Sequence, residues 1–168
     1  GGTGNSGVLF IYEISANIYT MLQNFNGTNG RFPNGNLIQH NNGKLYGLTP
    51  NGGTNNYGVL FSLDTISNAF TVLNNFDSIN GANPFESLHE ASDGNLYGMT
   101  AAGGIADSGI AFKFDPVTNI FVKLHDFNGA DGNNSLNGFI RITPTNLTQQ
   151  EKNRGRFKIS PNTAQDSK

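Results

Sequence analysis

Gly1-Gly2, Gly52-Gly53 and Gly103-Gly104 stand 51 residues apart, and that register holds along most of the chain. It relates Gly7, Gly58 and Gly109; Phe10, Phe61 and Phe112; Leu22, Leu73 and Leu124; and Phe25, Phe76 and Phe127. Between the first two copies, 22 of 51 positions are identical with no gap. Leu45-Tyr46-Gly47 returns as Leu96-Tyr97-Gly98. A tandem repeat of this length constrains the fold more than any local propensity, because one supersecondary unit must serve every copy.

One period reads as four short strands. Val59 to Asp64 alternates large apolar residues with others, and across copies one face collects Val8/Val59/Ile110, Phe10/Phe61/Phe112 and Tyr12/Leu63/Phe114. That is a strand buried on one face. A turn at Asp115-Pro116-Val117-Thr118-Asn119 leads to a second strand, Ile120 to Phe127. Leu124 and Phe127 differ in parity, which predicts a bulge or the strand's end between them. A third strand lies around Leu37-Ile38 and Leu88-His89. The two-residue turns Asn42-Gly43 and Asp93-Gly94 then open a fourth, Lys44–Thr49 and Asn95–Thr100. Four antiparallel strands per period specify a blade of a β-propeller-like, all-β repeat. The register divides residues 1–142 into a half, a full, a full and one extra strand. About 11 strands make fewer than three blades, against four to eight in a closed propeller, so the array is expected to be open and the chain a fragment or a processed product.

Composition agrees with this reading. Gly and Asn together make 48 of 168 residues, the two types that turn at positive φ. With 13 Phe and 5 Tyr there is material for a core, and with no Cys there are neither disulfides nor thiolate sites. Residues 1–150 carry 5 Lys/Arg against 10 Asp/Glu, while 151–168 carry 5 against 2. An acidic body with scattered cations offers no track for a phosphate backbone, so nucleic acid is excluded as a partner. No apolar run is long enough to span a membrane as a helix.

The unit Asn42-Gly43-Lys44-Leu45-Tyr46-Gly47-Leu48-Thr49, the Gly52-Gly53 loop, Gly58 to Asp64, and the aromatic strand ending at Leu73 to Asp77 together resemble the GloVer tandem-repeat family. The resemblance covers residues 1 to about 142 and carries no catalytic residue. It implies export and surface display, since members of that family end in differing surface-sorting signals. Residues 143–156 are polar and aperiodic, as a linker would be. Phe157-Lys158-Ile159-Ser160-Pro161-Asn162-Thr163-Ala164 then resembles the opening of a type IX secretion sorting domain, with Thr163 in place of the family's second Pro. Residues 157–168 would be its truncated start, and the type IX machinery a partner. The resemblance implies a secreted or bacterial cell-surface protein.

Candidate sites are few. The Gly-Gly loops lie on one rim, where ligand contacts concentrate, and place Asn55, Asn56, Tyr57 and Asp107 as candidate binding residues. They lack the Gly-Lys-Ser/Thr ending of a phosphate loop. The loops beginning Asn24-Phe25, Asn75-Phe76 and Asp126-Phe127 space side-chain oxygens toward a Gly. Asx-turns are the plainer account, and a calcium site at Asp126, Asn128 and Asp131 is the alternative. No other cofactor is implied. The column Glu13, Asp64, Asp115 reads as turn stapling or, less simply, as the acid and base of a propeller lyase or hydrolase. His40, His89 and His125 share no repeat position and no metal-ligand spacing, and read as surface or strand-edge residues. Tyr46 and Tyr97 read as core or, alternatively, as stacking faces for a sugar. No Gly-x-Ser-x-Gly elbow is present. The expectation is therefore a non-catalytic module that binds an extracellular glycan or protein through its rim loops. The alternatives are a polysaccharide-cleaving enzyme and a purely structural spacer.

Overall fold

The computed structural model describes residues 1–134, 140–141 and 157–158. The linker 143–156 and most of the expected sorting segment, 159–168, lie outside the described residues. The elements in chain order are β1 (Val8–Glu13), β2 (Ile18–Asn24), β3 (Ile38–Gln39), β4 (Lys44–Thr49), β5 (Val59–Asp64), β6 (Phe70–Asn75), β7 (His89–Glu90), β8 (Leu96–Met99), β9 (Ile110–Asp115), β10 (Ile120–Asp126), β11 (Ile140–Arg141) and β12 (Phe157–Lys158). They form two four-stranded sheets, β3-β4-β5-β6 and β7-β8-β9-β10, and two two-stranded ones, β1-β2 and β11-β12. All pairings are antiparallel. The architecture is all-β, an open series of propeller-like blades. The third strands sit one residue later than expected, at Ile38 and His89, leaving Leu37 and Leu88 in the approach to each sheet.

The parity conflict in the outer hairpin resolves as a bulge. The register slips between Leu9 and Phe10, between Leu60 and Phe61, and between Lys123 and His125, so Leu22, Leu73 and Leu124 are each the unpaired extra residue. At Leu22 and Leu73 the bulge lets the leucine and the phenylalanine three residues later both turn inward, whereas Leu124, on the last sheet, is exposed.

The sheets pack face to face. Leu9, Phe25, Val59, Phe61 and Leu63 form one cluster between the β1-β2 hairpin and the first complete sheet. Tyr46, Leu48, Leu60, Phe76 and Leu88 meet Ile110, Phe112 and Phe114 between the two complete sheets. β5 is consequently buried on both faces, Val59 through Leu63, which corrects the expectation of one buried face. Leu60 and Ser62 looked like an outer face because each period was read alone. In a stack, the outer face of one sheet is the floor of the next.

The same aromatic device recurs at each sheet boundary. Phe61 stacks on Phe70 at 5.1 Å and Phe112 on Phe121 at 5.0 Å. Phe25 caps the first pair edge-on at 5.5 and 5.7 Å, and Phe76 caps the second at 5.5 and 5.8 Å. Such pairs add about 0.5–1.5 kcal/mol beyond their burial. Room for them comes from Gly47 and Gly98 on the adjacent strand. A Cβ there would lie 2.5 Å from the Phe61 ring and 2.3 Å from the Phe112 ring. His40 also differs from expectation. It is buried, its Nε2 lies 3.1 Å from the Gly94 carbonyl in the next sheet, and its Nδ1 accepts from the Asn42 N–H.

Candidate functional site

The rim loops are built by paired left-handed glycines. Gly52 and Gly53 have φ of 83° and 80°, and Gly103 and Gly104 have 80° and 78°, a run that residues with a Cβ adopt only under strain. Asn56 and Asp107 occupy the same repeat position, also left-handed, and their side-chain oxygens accept the N–H of Gly52 at 3.1 Å and of Gly103 at 2.8 Å. The Asn55 amide donates to the Phe76 carbonyl at 3.3 Å. These three expected binding residues therefore shape the loop. Tyr57 differs, being 40% exposed, with its carbonyl taking the Asn83 N–H.

The acidic loops are Asx structures. Asn26 and Asn29 exchange reciprocal backbone-to-side-chain bonds, Asp77 accepts from the Asn80 N–H, and Asn128 and Asp131 repeat the reciprocal pattern. Asp126 faces elsewhere, accepting from the Lys123 ammonium at 2.9 Å and the Ile105 N–H at 3.0 Å. The structure thus brings Asn128 and Asp131 together and engages Asp126 apart from them. His125 lies 2.9 Å from Asp131. The Asn128 N–H holds the Asp131 carboxyl below its ordinary value, and the Lys123 ammonium does the same for Asp126. Among the described residues, no group of three or more His, Cys, Asp or Glu is placed to hold a metal.

Two members of the acidic column, Asp64 and Asp115, staple their hairpins. Asp64 accepts from the Ile66 and Ser67 N–H groups, and Asp115 accepts from the Val117 N–H and the Thr118 hydroxyl. These bonds hold both carboxyls low, with the Ser67 N–H the largest cause at Asp64 and the Thr118 hydroxyl at Asp115. A carboxylate held ionised by its own turn is a poor proton donor at neutral pH. Tyr46 and Tyr97 are buried, the Tyr46 hydroxyl taking the Asn42 amide and the Tyr97 hydroxyl donating to Asp93, each at 2.8 Å.

One open cleft of about 570 Å³ lies on the rim between the β1-β2 hairpin and the first complete sheet. Asn5, Phe32, Pro33, Asn34, Asn51 and Phe85 are among the residues lining it. Asn5 is the first-copy counterpart of Asn56 and Asp107. Phe32 has φ 58° and is 47% exposed. A bulky residue in that region is an outlier costing on the order of 1–3 kcal/mol. Its counterpart one period on is Asn83, at φ 55°, a residue that tolerates the conformation. The Arg31 guanidinium lies 4.6 Å from the Phe32 ring centre. Phe85, 37% exposed, stands where the first copy has Asn34.

A family model for the Gloeobacter/Verrucomicrobia repeat matches residues 1–158. The chain belongs to that family. No curated protein matches it. The match reaches Lys158, so Phe157–Lys158 falls inside it, and these two residues pair with Ile140–Arg141 as β12 and β11.

In a Gloeobacter/Verrucomicrobia repeat protein the fixed columns report the blade, and this cleft combines such columns, at Asn5 and Pro33, with departures from them at Phe32, Asn34 and Asn51. Phe32 against Asn83, the neighbouring Arg31 against Ala82 and Asn34 against Phe85 are among the positions where the copies disagree. Comparing the copies for what changes, rather than for what persists, is the signal that would have found the cleft.

Proposed function

We propose that this repeat protein is a non-catalytic binding module that takes a neutral glycan in the rim cleft. The carrying observation is Phe32, an exposed ring kept in a left-handed backbone where the sister copy uses Asn83. Strain of that kind persists where function repays it. Phe32 and Phe85 supply apolar faces for the C–H side of a sugar ring, and Asn5, Asn34 and Asn51 supply amides for its hydroxyls. A pure spacer has no use for a strained aromatic. The protein acts outside the cell, displayed through the type IX route that residues 157–164 resemble; surface fractionation of producing cells checks that placement.

The test is a glycan array followed by Phe32→Asn, which installs the repeat's own alternative. That variant keeps the backbone, leaves the melting temperature equal or slightly higher, and weakens binding roughly tenfold or more, as loss of a stacking ring does. An empty array, or unchanged affinity in Phe32→Asn, overturns the proposal.

A further inference from the structure

Seven Asn-Gly pairs lie among the described residues, at 26–27, 29–30, 34–35, 42–43, 51–52, 80–81 and 128–129. In such a pair the backbone can close on the asparagine's own side chain, because glycine has no Cβ to keep its nitrogen away from the amide carbon. The fold restrains most of them. Gly27, Gly30, Gly43 and Gly129 donate their N–H groups to backbone carbonyls at 3.1, 3.3, 3.0 and 3.0 Å, and Gly52 donates to the Asn56 side chain at 3.1 Å. At 80–81 the Asn80 side-chain amide donates to Asp77 at 3.0 Å, and Gly81 is buried. Groups held in this way react only when the structure opens locally. The pair 34–35 has neither restraint. It lies in the loop before β3, Asn34 is exposed, and among the described residues neither its side-chain amide nor the Gly35 N–H has a hydrogen-bond partner. The glycine is nonetheless required, since a Cβ there would lie 2.8 Å from the Glu86 carbonyl oxygen. The second copy has Phe85-Glu86 at these positions and avoids the chemistry.

We propose that Asn34-Gly35 is a self-modification site, converting to aspartate and isoaspartate while the other six described pairs persist. The Gly35 nitrogen, having lost its proton, attacks the Asn34 side-chain amide carbon. The new N–C bond closes a succinimide ring, and the bond to Nδ2 breaks to release ammonia. Water then opens either carbonyl of the ring, giving aspartate or isoaspartate. The sum is amide plus water to acid plus ammonia, with nothing oxidised or reduced. Asn34 lines the rim cleft, whose lining carries no ionisable side chain, so the conversion places a carboxylate in a neutral wall. The inference stands on the hydrogen bonding of this loop and does not depend on the cleft's ligand.

Cleavage after Arg31 and Lys44 yields one peptide, 32–44, that holds Asn34-Gly35 and Asn42-Gly43 together, so their ratio is free of differences in recovery. The full chain is kept folded at mildly alkaline pH, sampled over weeks, digested and fragmented in a mass spectrometer. An isoaspartyl methyltransferase counts the isoaspartate. Asn34 is expected to convert about tenfold faster than Asn42 or more, since Gly43 reacts only when its turn opens. In urea the two rates should come together, because the fold that separates them is gone. Asn34→Gln should abolish conversion at that position and leave Asn42 unchanged, since the longer side chain closes a less favourable ring. Equal rates at Asn34 and Asn42 in the folded chain overturn the proposal, as does isoaspartate arising first at any of the other pairs. So does a difference that persists in urea, which would assign the selectivity to neighbouring residues instead of to the fold.

Discussion

Phe10 and Phe61 hold the same place in the same hairpin and stack on their partners at 5.0 and 5.1 Å, yet one is 55% exposed and the other fully buried. The β1-β2 hairpin and the β5-β6 hairpin therefore separate what a hairpin makes for itself from what its neighbours give it. Stacking, bulge and turn are intrinsic, for they appear in both. Burial is not. It needs a glycine-bearing strand alongside and a capping phenylalanine from the preceding sheet, and among the described residues only the complete sheets have both.

The largest effect expected from this comparison is a divergence between identical substitutions. Phe61→Ala should cost about 3–5 kcal/mol, combining lost transfer energy with a cavity that close-packed sheets cannot collapse into. Phe10→Ala should cost less than about 1 kcal/mol, because the ring already meets water. Urea denaturation of the two variants measures both. Equal losses would mean that the β1-β2 hairpin is covered in solution and that the comparison fails.

Next in size is the glycine on the covering strand. Gly47→Val puts a side chain into the Phe61 ring, and Gly98→Val does the same at Phe112, so each should lose about 1–3 kcal/mol through overpacking. Pairing each with the Phe→Ala change opposite tests the cause. If ring contact is responsible, the double variant loses less than the sum of the singles. Strict additivity would place the cost in the strand backbone instead.

The blade was legible where one residue's rule sufficed. Leu124 and Phe127 differ in parity, which leaves a bulge or the strand's end between them, and the register slip at Leu124, as at Leu73, makes it a bulge. Asn42-Gly43 and Asp93-Gly94 marked their turns for the same local reason. What stayed hidden depended on two periods at once. Ser62 reads as an outer-face residue until a second sheet closes over it. His40 reads as a surface residue because nothing local says that the Gly94 carbonyl, 54 residues away, will meet its ring. The cleft was hidden for a further reason, since Phe32 and Phe85 are exceptions to the repeat, and the repeat directs attention to what persists. Asn56 and Asp107 share a repeat column with Asn5, which lines the cleft, but their own side chains are committed to Gly52 and Gly103.

A smaller effect separates the hairpins by acidity. Asp64 and Asp115 staple the complete sheets' outer hairpins with carboxyls held low by turn hydrogen bonds. A depressed carboxyl stabilises the fold above its unfolded value, and that contribution is lost as pH falls through the folded one. The turns at Ile66-Ser67 and Val117-Thr118 should therefore loosen only below pH about 4, the ordinary Asp value. Amide exchange at those four residues, corrected for its intrinsic pH dependence, reads this directly. Asp64→Asn should loosen its own turn at all pH values and leave the Asp115 turn unchanged. Loosening of both would show that the hairpins are coupled through the stack.

The smallest effect lies between two tyrosines at one repeat position. Tyr46 receives a hydrogen bond from the neutral Asn42, whereas Tyr97 donates to the carboxylate of Asp93. Burial, and then the Asp93 hydrogen bond and charge, push the Tyr97 phenol up to about 12. Burial acts to raise the Asp93 carboxyl as well, but hydrogen bonds from the Asn95 N–H and amide and from the Tyr97 hydroxyl outweigh it and hold the carboxyl low. The sign for the phenol is opposite to that for the carboxylates. A raised phenol favours the fold fully below its unfolded value near 10, and the advantage disappears as pH rises toward 12. Asp93→Asn makes the second copy resemble the first at this position. The late step in tyrosinate absorbance should then move part of the way back toward 10, because charge and acceptor are lost while burial remains. Absence of any movement would assign the whole shift to burial, and the two copies would then differ at this position in hydrogen-bond direction but not in electrostatics.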